Sequence, residues 1–534
     1  FLSYELGFLL CDRLQNLLPA ETAVPLLWLG VFAAPRQLSR AESNAWLKQQ
    51  ASAEAAEISV TNPSMSRENY GAAFRRAQDY IRAGDAYQIN LTMRARFNLS
   101  GDPVALYRDF CRAQAVAYGA LLFTGEHHIL SLSPELFVES DSGTLVTRPM
   151  KGTSARGRTS AEGGLMAKAL AESVKDRAEN LMIVDLLRND LARVARTGSV
   201  AVSDMFEVET YRHFHAMIST VSATSQSGTT FSDVVAALFP CGSVTGAPKI
   251  RAMQIIHELE GAPRGVYCGS IGHAAPDGNF SFNVAIRTAV IGNDGVGEIG
   301  TGGAITADSG EQAEYDEALV KLRFLETFTE PFGLIETLLW DGASFRLLER
   351  HIQRLERSSA HFGIAFDRRR IVAALTGAVS ATRGQQRVRL VLDDDGVTVG
   401  ATPLTSMEKL RFTLAGERVA SANRFLYHKT TRREFYDRTR VRAAETLGVD
   451  EVVFLNERDE LTEGSFTNLF IRSGVKLLTP VLMSGLLPGT LREELLTSGE
   501  AEEAVLTVRD LEAADEIYLG NSVRDLLRAE WLRR

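Results

Sequence analysis

From Ser66 to Ala83 apolar residues recur at helical spacing, at Tyr70, Phe74, Ala77 and Ile81, and Gly84-Asp85 closes the run. The stretch Tyr87-Gln88-Ile89-Asn90-Leu91-Thr92 then alternates as a strand does. A second helix is predicted around Val104 to Ala117, followed by short strands near 120–123, 129–132 and 136–139. The clearest helical pattern runs from Ala171 to Ala195, through Leu181, Ile183, Val184, Leu187 and Leu191, and another covers about Gln312 to Phe328. The run Val24 to Ala34, interrupted by Pro25 and Gly30, reads as a buried strand and falls short of the ~18 residues a membrane span needs. Pro331 and Gly333 punctuate the chain before a new pattern at Leu334-Ile335-Glu336-Thr337-Leu338, with a helix from Leu347 to Phe362 after it. A boundary there predicts domains at 1–328 and 329–534, and the mixture of helices with short strands predicts an α+β fold.

Length agrees with more than one folding unit: 534 residues exceed what one core usually serves. A net charge of −9, without a concentrated run of Lys and Arg, argues against nucleic acid, and no segment argues for a membrane. Cys11, Cys111, Cys241 and Cys268 lack the spacing of a zinc site or the density of a disulfide scaffold, so a reducing cytoplasm is expected. The chain opens without Met on Phe1-Leu2-Ser3-Tyr4, and a true N-terminus upstream is expected.

Three features carry candidate chemistry. Arg148-Pro149-Met150-Lys151-Gly152-Thr153 holds a lysine between a proline and a glycine just after a strand-like run, a structural turn or a nucleophile's seat. Asp176 and Glu179, and likewise Glu314 and Glu317, stand three apart on predicted helices and so share a face, with Lys321 one turn on from Glu317. Each pair is a solvated helix face or, if the two converge, an oxygen-only donor set that suits Mg²⁺. Cys241-Gly242-Ser243-Val244-Thr245-Gly246-Ala247-Pro248-Lys249 fails as a nucleotide loop, because Pro248 precedes the lysine and no Ser or Thr follows it. That stretch and Gly300-Thr301-Gly302-Gly303-Ala304 are each a structural turn or an anion-binding one.

Residues 1 to about 328 resemble the chorismate-utilising enzymes, in particular those of the aminodeoxychorismate synthase component I type. The resemblance is carried by Ser133-Pro134-Glu135, the lysine stretch, Lys175-Asp176-Arg177-Ala178-Glu179-Asn180, Asp185-Leu186-Leu187-Arg188-Asn189-Asp190, Thr245 to Lys249, Ala285-Ile286-Arg287-Thr288 and Ala313-Glu314-Tyr315-Asp316-Glu317. Four residues after Gly84, where isochorismate- and salicylate-forming relatives have a lysine that activates water, this chain has Gln88. Anthranilate synthases carry alanine where Lys151 stands. The resemblance therefore implies that the Lys151 amine attacks C2 of chorismate and that ammonia then opens the covalent intermediate at C4. A neutral lysine is required, through burial or a neighbouring cation such as Arg148. It further implies Glu135 as general acid, Glu179 and Glu317 as Mg²⁺ ligands with Asp176 and Glu314 behind them, and Gln88, Gly152, Thr153, His215, Thr245, Tyr267, Arg287, Gly302 and Lys321 around the substrate.

From about 333 onward the chain resembles the fold-type IV pyridoxal-phosphate enzymes, most closely those of the aminodeoxychorismate lyase type. Glu336-Thr337, the helix through His351 and Leu355, Lys429, Thr462 to Asn468, Leu487-Pro488-Gly489-Thr490 and Asn521-Ser522-Val523 carry it. It implies Lys429 as the lysine that binds pyridoxal 5′-phosphate, Glu463 on the pyridine nitrogen, and Arg354, Thr490, Asn521 and Ser522 at the phosphate. Asp525 departs from the glycine of many relatives. Together the halves imply synthesis of 4-aminobenzoate from chorismate, with ammonia from a separate glutamine amidotransferase subunit or from free ammonium, since no glutaminase-type cysteine turn is visible. The alternatives are an anthranilate-type synthase joined to an amino-acid aminotransferase, and a non-catalytic second half that docks the glutaminase. Having both Lys429 and Glu463 argues against the latter.

Overall fold

The alternating stretch after Gly84 is the leading edge of a 13-residue strand, Gln88–Ser100, which pairs antiparallel with Val296–Ile305 over ten positions. In this computed structural model residues 1–533 are described apart from 53–55, 115, 213, 323–324 and 326–331. The segment Glu326 to Pro331, where the sequence pattern changes, and the far end of the helix expected to reach Phe328, thus lie outside the described residues. The chain divides into two compact units, 1–155 with 166–329, and 156–165 with 330–534.

The first unit holds two antiparallel sheets. One runs Glu57–Pro63, Gln88–Ser100, Val296–Ile305, Thr288–Gly292, His127–Ser133, Tyr118–Phe123, with Gly246–Ala247 also on Gln88–Ser100. The other runs Ser270–Ala274, Phe280–Val284, Leu136–Asp141, Thr144–Arg148, Phe214–Thr224, Met150–Ala155, with Ala201–Thr210 also on Phe214–Thr224. Helix Arg67–Arg82 begins at Ser66, whose hydroxyl accepts the Asn69 N–H, and buries Tyr70, Phe74 and Ala77 as their spacing predicts. The single helix expected over 171–195 is two, Ser160–Glu172 and Val174–Ala192. Ser173 separates them because its side chain caps the second, accepting the Asp176 N–H.

The run Val24 to Ala34 is not a buried strand. Leu29, Val31 and Phe32 are 70%, 101% and 79% exposed, and Leu27 makes an isolated bridge to Leu2. Apolar content misled here: Pro25 and Gly30 both weaken a ladder, and apolar character alone cannot supply a partner strand. Nor is Gly300 to Ala304 a turn, since it lies inside the strand Val296–Ile305. Its glycines serve close packing: a Cβ on Gly300 would lie 2.1 Å from the Tyr267 ring, and one on Gly302 2.2 Å from the Leu91 carbonyl oxygen.

In the second unit, Leu334–Trp340, Gln386–Asp393 and Gly396–Pro403 form an antiparallel sheet packed on helices Leu348–Phe362 and Arg368–Val379. An eight-stranded mixed sheet follows, in which Lys409–Val419 runs parallel to both Glu451–Asn456 and Asp525–Trp531. The fold class is α+β. No described helix is long and apolar enough to cross a membrane, and the four cysteines are free thiols.

Candidate active sites

Pro149 ends the strand Thr144–Arg148, and the chain resumes as Met150–Ala155 with a register shift between Met150 and Thr153 against Phe214–Thr224. Lys151 and Gly152 sit in that irregularity. Gly152 has φ +86°, and a Cβ there would come within 2.8 Å of Asp176, so the glycine lets helix Val174–Ala192 bring its carboxylates close to Lys151. The result is a cavity of about 400 Å³ whose wall includes Glu135, Lys151, Tyr267, Arg287, Gly302 and Lys321.

Glu135 is 4% exposed and pinned by its backbone, which donates to Ser133 Oγ and accepts from the Val284 N–H. Its Oε1 is buried without a hydrogen-bond partner among the described residues. Burial pushes its carboxyl up to about 7, against the opposing pull of Ser243 and Lys151. Such a group can carry a proton near neutrality. Lys151 Nζ donates to the Ser243 carbonyl at 3.1 Å. Burial lowers the Lys151 amine below its ordinary value, Glu135 and Glu179 oppose this, and Lys321 assists it. Arg148 is not that assisting cation; its guanidinium is held by Glu209 at 2.6 Å.

Arg287 donates to Gln114 at 2.9 Å, lies over the Phe214 ring, and is drawn down to about 10 by burial. Met150 and Thr153 also line the cavity. Gln88, His215 and Thr245 are fully buried but do not line it. Among the described residues both polar atoms of the Gln88 side chain lack partners, while His215 Nδ1 meets Thr210 Oγ1 at 2.9 Å and Thr245 Oγ1 donates to the carbonyls of Cys241 and Gly242. Their roles as direct substrate contacts therefore do not follow from the cavity. Asn90, Ser243 and Phe214 do reach it, yet sequence reasoning missed them, since each lies in a stretch that reads as ordinary strand or turn.

The two carboxylate pairs meet this same cavity. Asp176 accepts from Ser173 Oγ, Glu179 lies 3.9 Å from Lys175, Glu314 accepts from Ser309 at 2.7 Å, and Glu317 pairs with Lys321 at 2.8 Å. Among the described residues no three His, Cys, Asp or Glu gather as a ready ligand set. The donor chemistry nevertheless fits a hard divalent cation. Burial raises Glu179 and Glu314, with Asp176 and Glu314 adding to the first and Glu317 to the second, a repulsion that such an ion would relieve. Lys249, at the end of the glycine-rich stretch, instead binds Asp190 at 2.6 Å and the Leu238 carbonyl, so this lysine has a structural role.

The second unit has its own cavity, about 320 Å³, around Lys429. The Lys429 carbonyl accepts the Ile335 N–H at 2.7 Å, fastening this segment to the first strand of the unit. Burial, reinforced by Arg433 and Arg354, draws the Lys429 amine down to about 7. Glu463 is 8% exposed, and burial pushes its carboxyl up to about 8. It accepts from Tyr436 and Asn468, both at 3.4 Å. A cation set against Glu463, such as a protonated pyridine nitrogen, would restore its charge.

Arg354 reaches this cavity while bound to Glu336 at 2.9 and 2.6 Å. Glu336 also holds His351 Nδ1 at 2.5 Å, and His351 Nε2 meets Thr490 Oγ1 at 3.3 Å. This network, anchored by a carboxyl held down at about 2, fixes Arg354 and Thr490 on one wall with Ser522 and Asn521. Gly489 precedes Thr490 because a Cβ there would lie 1.8 Å from Asn468 Oδ1. A lowered amine, a proton-holding carboxyl and a cluster of guanidiniums and hydroxyls fit pyridoxal 5′-phosphate. Asp525 has φ +64°, a conformation that glycine adopts more readily, and its carboxylate binds Arg346 at 2.7 Å.

The family model for chorismate binding enzymes matches residues 27–327. The chain belongs to the chorismate binding enzymes. Residues 333–530 match amino-transferase class IV, so this member carries a second enzymatic domain. Aminodeoxychorismate synthase component 1 of Klebsiella aerogenes is 44% identical over 281 residues, covering 52% of this chain and 62% of that protein. Anthranilate synthase component 1 of Thermus thermophilus is 43% identical over 260 residues, covering 49% and 56%. The chain thus spans about three-fifths of the length of these relatives. A solved chain from Mesorhizobium loti, provisionally named an amino-acid aminotransferase, is 41% identical, covering 38% of this chain and all of that one at a TM-score of 0.37. Overall identity does not separate aminodeoxychorismate synthase from anthranilate synthase, which leaves the discrimination to individual residues.

Proposed function

We propose that this protein makes 4-aminobenzoate from chorismate in two steps, amination in the first cavity and elimination of pyruvate in the second. What supports the reading above all is Lys151, an amine lowered by burial in the same cavity as a carboxyl pushed up to about 7. A neutral amine and a protonated acid are the two forms the first step needs. Lys151 Nζ attacks C2, the ring double bonds shift, and the C4 hydroxyl leaves as water with the proton of Glu135. Ammonia then adds at C4, the double bonds shift back, and the C2–Nζ bond breaks, which returns Lys151 and yields 4-amino-4-deoxychorismate.

Arg287 and Lys321 pair with the substrate carboxylates, Arg287 as a bidentate donor. Tyr267, Gly152, Thr153 and Gly302 shape the wall. Glu179 and Glu317 would hold Mg²⁺, with Asp176 and Glu314 behind them, and the ion would neutralise a carboxylate and shield the charge of the site. Ammonia reaches the cavity from a glutamine amidotransferase partner or as free ammonium.

In the second cavity Arg354, Thr490, Ser522 and Asn521 would hold the phosphate of pyridoxal 5′-phosphate, Lys429 its aldehyde carbon and Glu463 its pyridine nitrogen. When bound, the cofactor supplies an electron sink for the carbon that loses a proton. Lys429, as a free amine, would remove the C4 proton; the C3–oxygen bond breaks, the enolate of pyruvate departs and takes up a proton, and the ring becomes aromatic. The similarity to anthranilate synthase and the match to amino-transferase class IV support a second reading, anthranilate formation joined to transamination. Purified protein incubated with chorismate, Mg²⁺ and ammonium, with and without pyridoxal phosphate, separates them by mass spectrometry of the products. The expected products are 4-aminobenzoate and pyruvate with the cofactor, and aminodeoxychorismate without it. Anthranilate as the main product contradicts the proposal.

A further inference from the structure

Beyond the residues assigned above, the second cavity is lined by five more arginines: Arg387, Arg389, Arg433, Arg440 and Arg524. Two of these have local roles, Arg433 donating to the Ser465 carbonyl and Arg440 lying over the Phe466 ring. Among the described residues, Arg387, Arg389 and Arg524 make no ion pair and no side-chain hydrogen bond. Arg524 Nε is buried without a partner. Arg387 acts on both of the others: it adds to the lowering that partial burial imposes on Arg524 and on the more exposed Arg389. Against this charge the wall offers Asp437 and Glu463, and Glu463 is pushed up to about 8.

We propose that Arg387, Arg389 and Arg524 form a clamp for two carboxylates, which selects a ring amine carrying two acidic groups over an ordinary monocarboxylate amino acid. The clamp rests on the reading of the second cavity given above, and it names the groups that make the site specific. Placement supports it. Arg387 and Arg389 stand two apart on Gln386–Asp393 and so point to one face, with Val388, Leu390 and Leu392 turned into the core. Their backbones are about 6–7 Å apart, a spacing suited to two carboxylates on one substituted ring. Arg524 approaches from another strand connection, where Asn521 Oδ1 accepts the N–H groups of Val523 and Arg524, both at 3.0 Å, and fixes the turn. Asp525 does not neutralise Arg524, since it is bound to Arg346. Arg354 differs from these three in charge balance, because its guanidinium is paired with Glu336.

The test titrates the full chain, loaded with pyridoxal phosphate, with benzene-1,3-dicarboxylate and separately with benzoate. The absorbance of the bound cofactor is followed, so that binding in the first unit is silent. The dicarboxylate is expected to bind at least about tenfold more tightly, the value of one charge-assisted contact. Arg387→Gln, Arg389→Gln and Arg524→Gln are each expected to weaken the dicarboxylate about tenfold while benzoate and cofactor content change little. Lysine at these positions should recover part of the loss. Equal affinity for the two acids, or variants that leave dicarboxylate binding unchanged, overturns the clamp. Variants that lose the cofactor instead also overturn it, because the arginines would then serve the phosphate. Were the wild type to discriminate the two acids yet form no 4-aminobenzoate, the proposed function would fail and the clamp stand. Normal 4-aminobenzoate formation with unchanged KM in the triple variant would sink the clamp alone.

Discussion

Lys151 and Lys429 are both amines lowered by burial, but their surroundings differ in sign. Around Lys151 the charges alternate: Glu135 and Glu179 oppose the lowering while Lys321 favours it. Around Lys429 the strongest neighbours, Arg433 and Arg354, act with burial, and the amine falls to about 7. The first cavity therefore keeps carboxylates that can take up a proton or a divalent cation, whereas the second presents a field of guanidiniums to anions. A neutral lysine is compatible with either, and what the rest of each wall attracts divides the two chemistries.

The sharpest break in this comparison is Lys429→Ala. It should reduce 4-aminobenzoate formation by up to roughly 10⁴-fold and let aminodeoxychorismate accumulate, since the base is lost while the first cavity is untouched. Product quantification by chromatography checks this. Glu135→Gln should lower the first step by about 10²–10⁴-fold. The wild-type rate of that step should decline as pH rises through about 7, where Glu135 gives up its proton. Glu135→Gln should lack the alkaline decline.

Smaller effects concern stability. Glu336→Ala leaves Arg354 and His351 without their buried partner and should cost about 3–5 kcal/mol, read by denaturant unfolding of the cofactor-free protein. His428, drawn down to about 4 mainly by burial, is neutral in the folded protein. The unfolded chain binds a proton first as pH falls below about 6.5, so stability is unaffected above that value and declines from there toward 4, by up to about 3 kcal/mol. His428→Gln should flatten that dependence in paired melts. Gly302→Ala forces a Cβ against the Leu91 carbonyl and should cost about 1–3 kcal/mol in the same unfolding experiment.

Periodicity found the elements whose buried face is regular. Tyr70, Phe74 and Ala77 mark their helix because one stripe of it meets the core. It failed where apolar residues had no partner, as at Leu29 and Phe32, and where a cap interrupts a continuous pattern, as at Ser173. Lys151, Glu135, Lys429 and Glu463 were legible from their motifs, and the convergence of two carboxylate pairs was one of two readings open to their spacing. Apart from Arg354, the arginines of the second cavity were not legible. Arg387 and Arg389 look like the solvent face of a strand, and only the cavity that they line together with Arg524 reveals a shared space.

The most direct measurement follows the fate of Lys151 itself. Full-length protein, mixed with chorismate and Mg²⁺ in the absence of ammonia, is quenched with acid, digested and analysed by mass spectrometry. Attack by Lys151 predicts a peptide containing that lysine, heavier by chorismate less one water, and its disappearance when ammonium is added before quenching. An unmodified Lys151 peptide accompanied by normal aminodeoxychorismate formation on adding ammonium would contradict it.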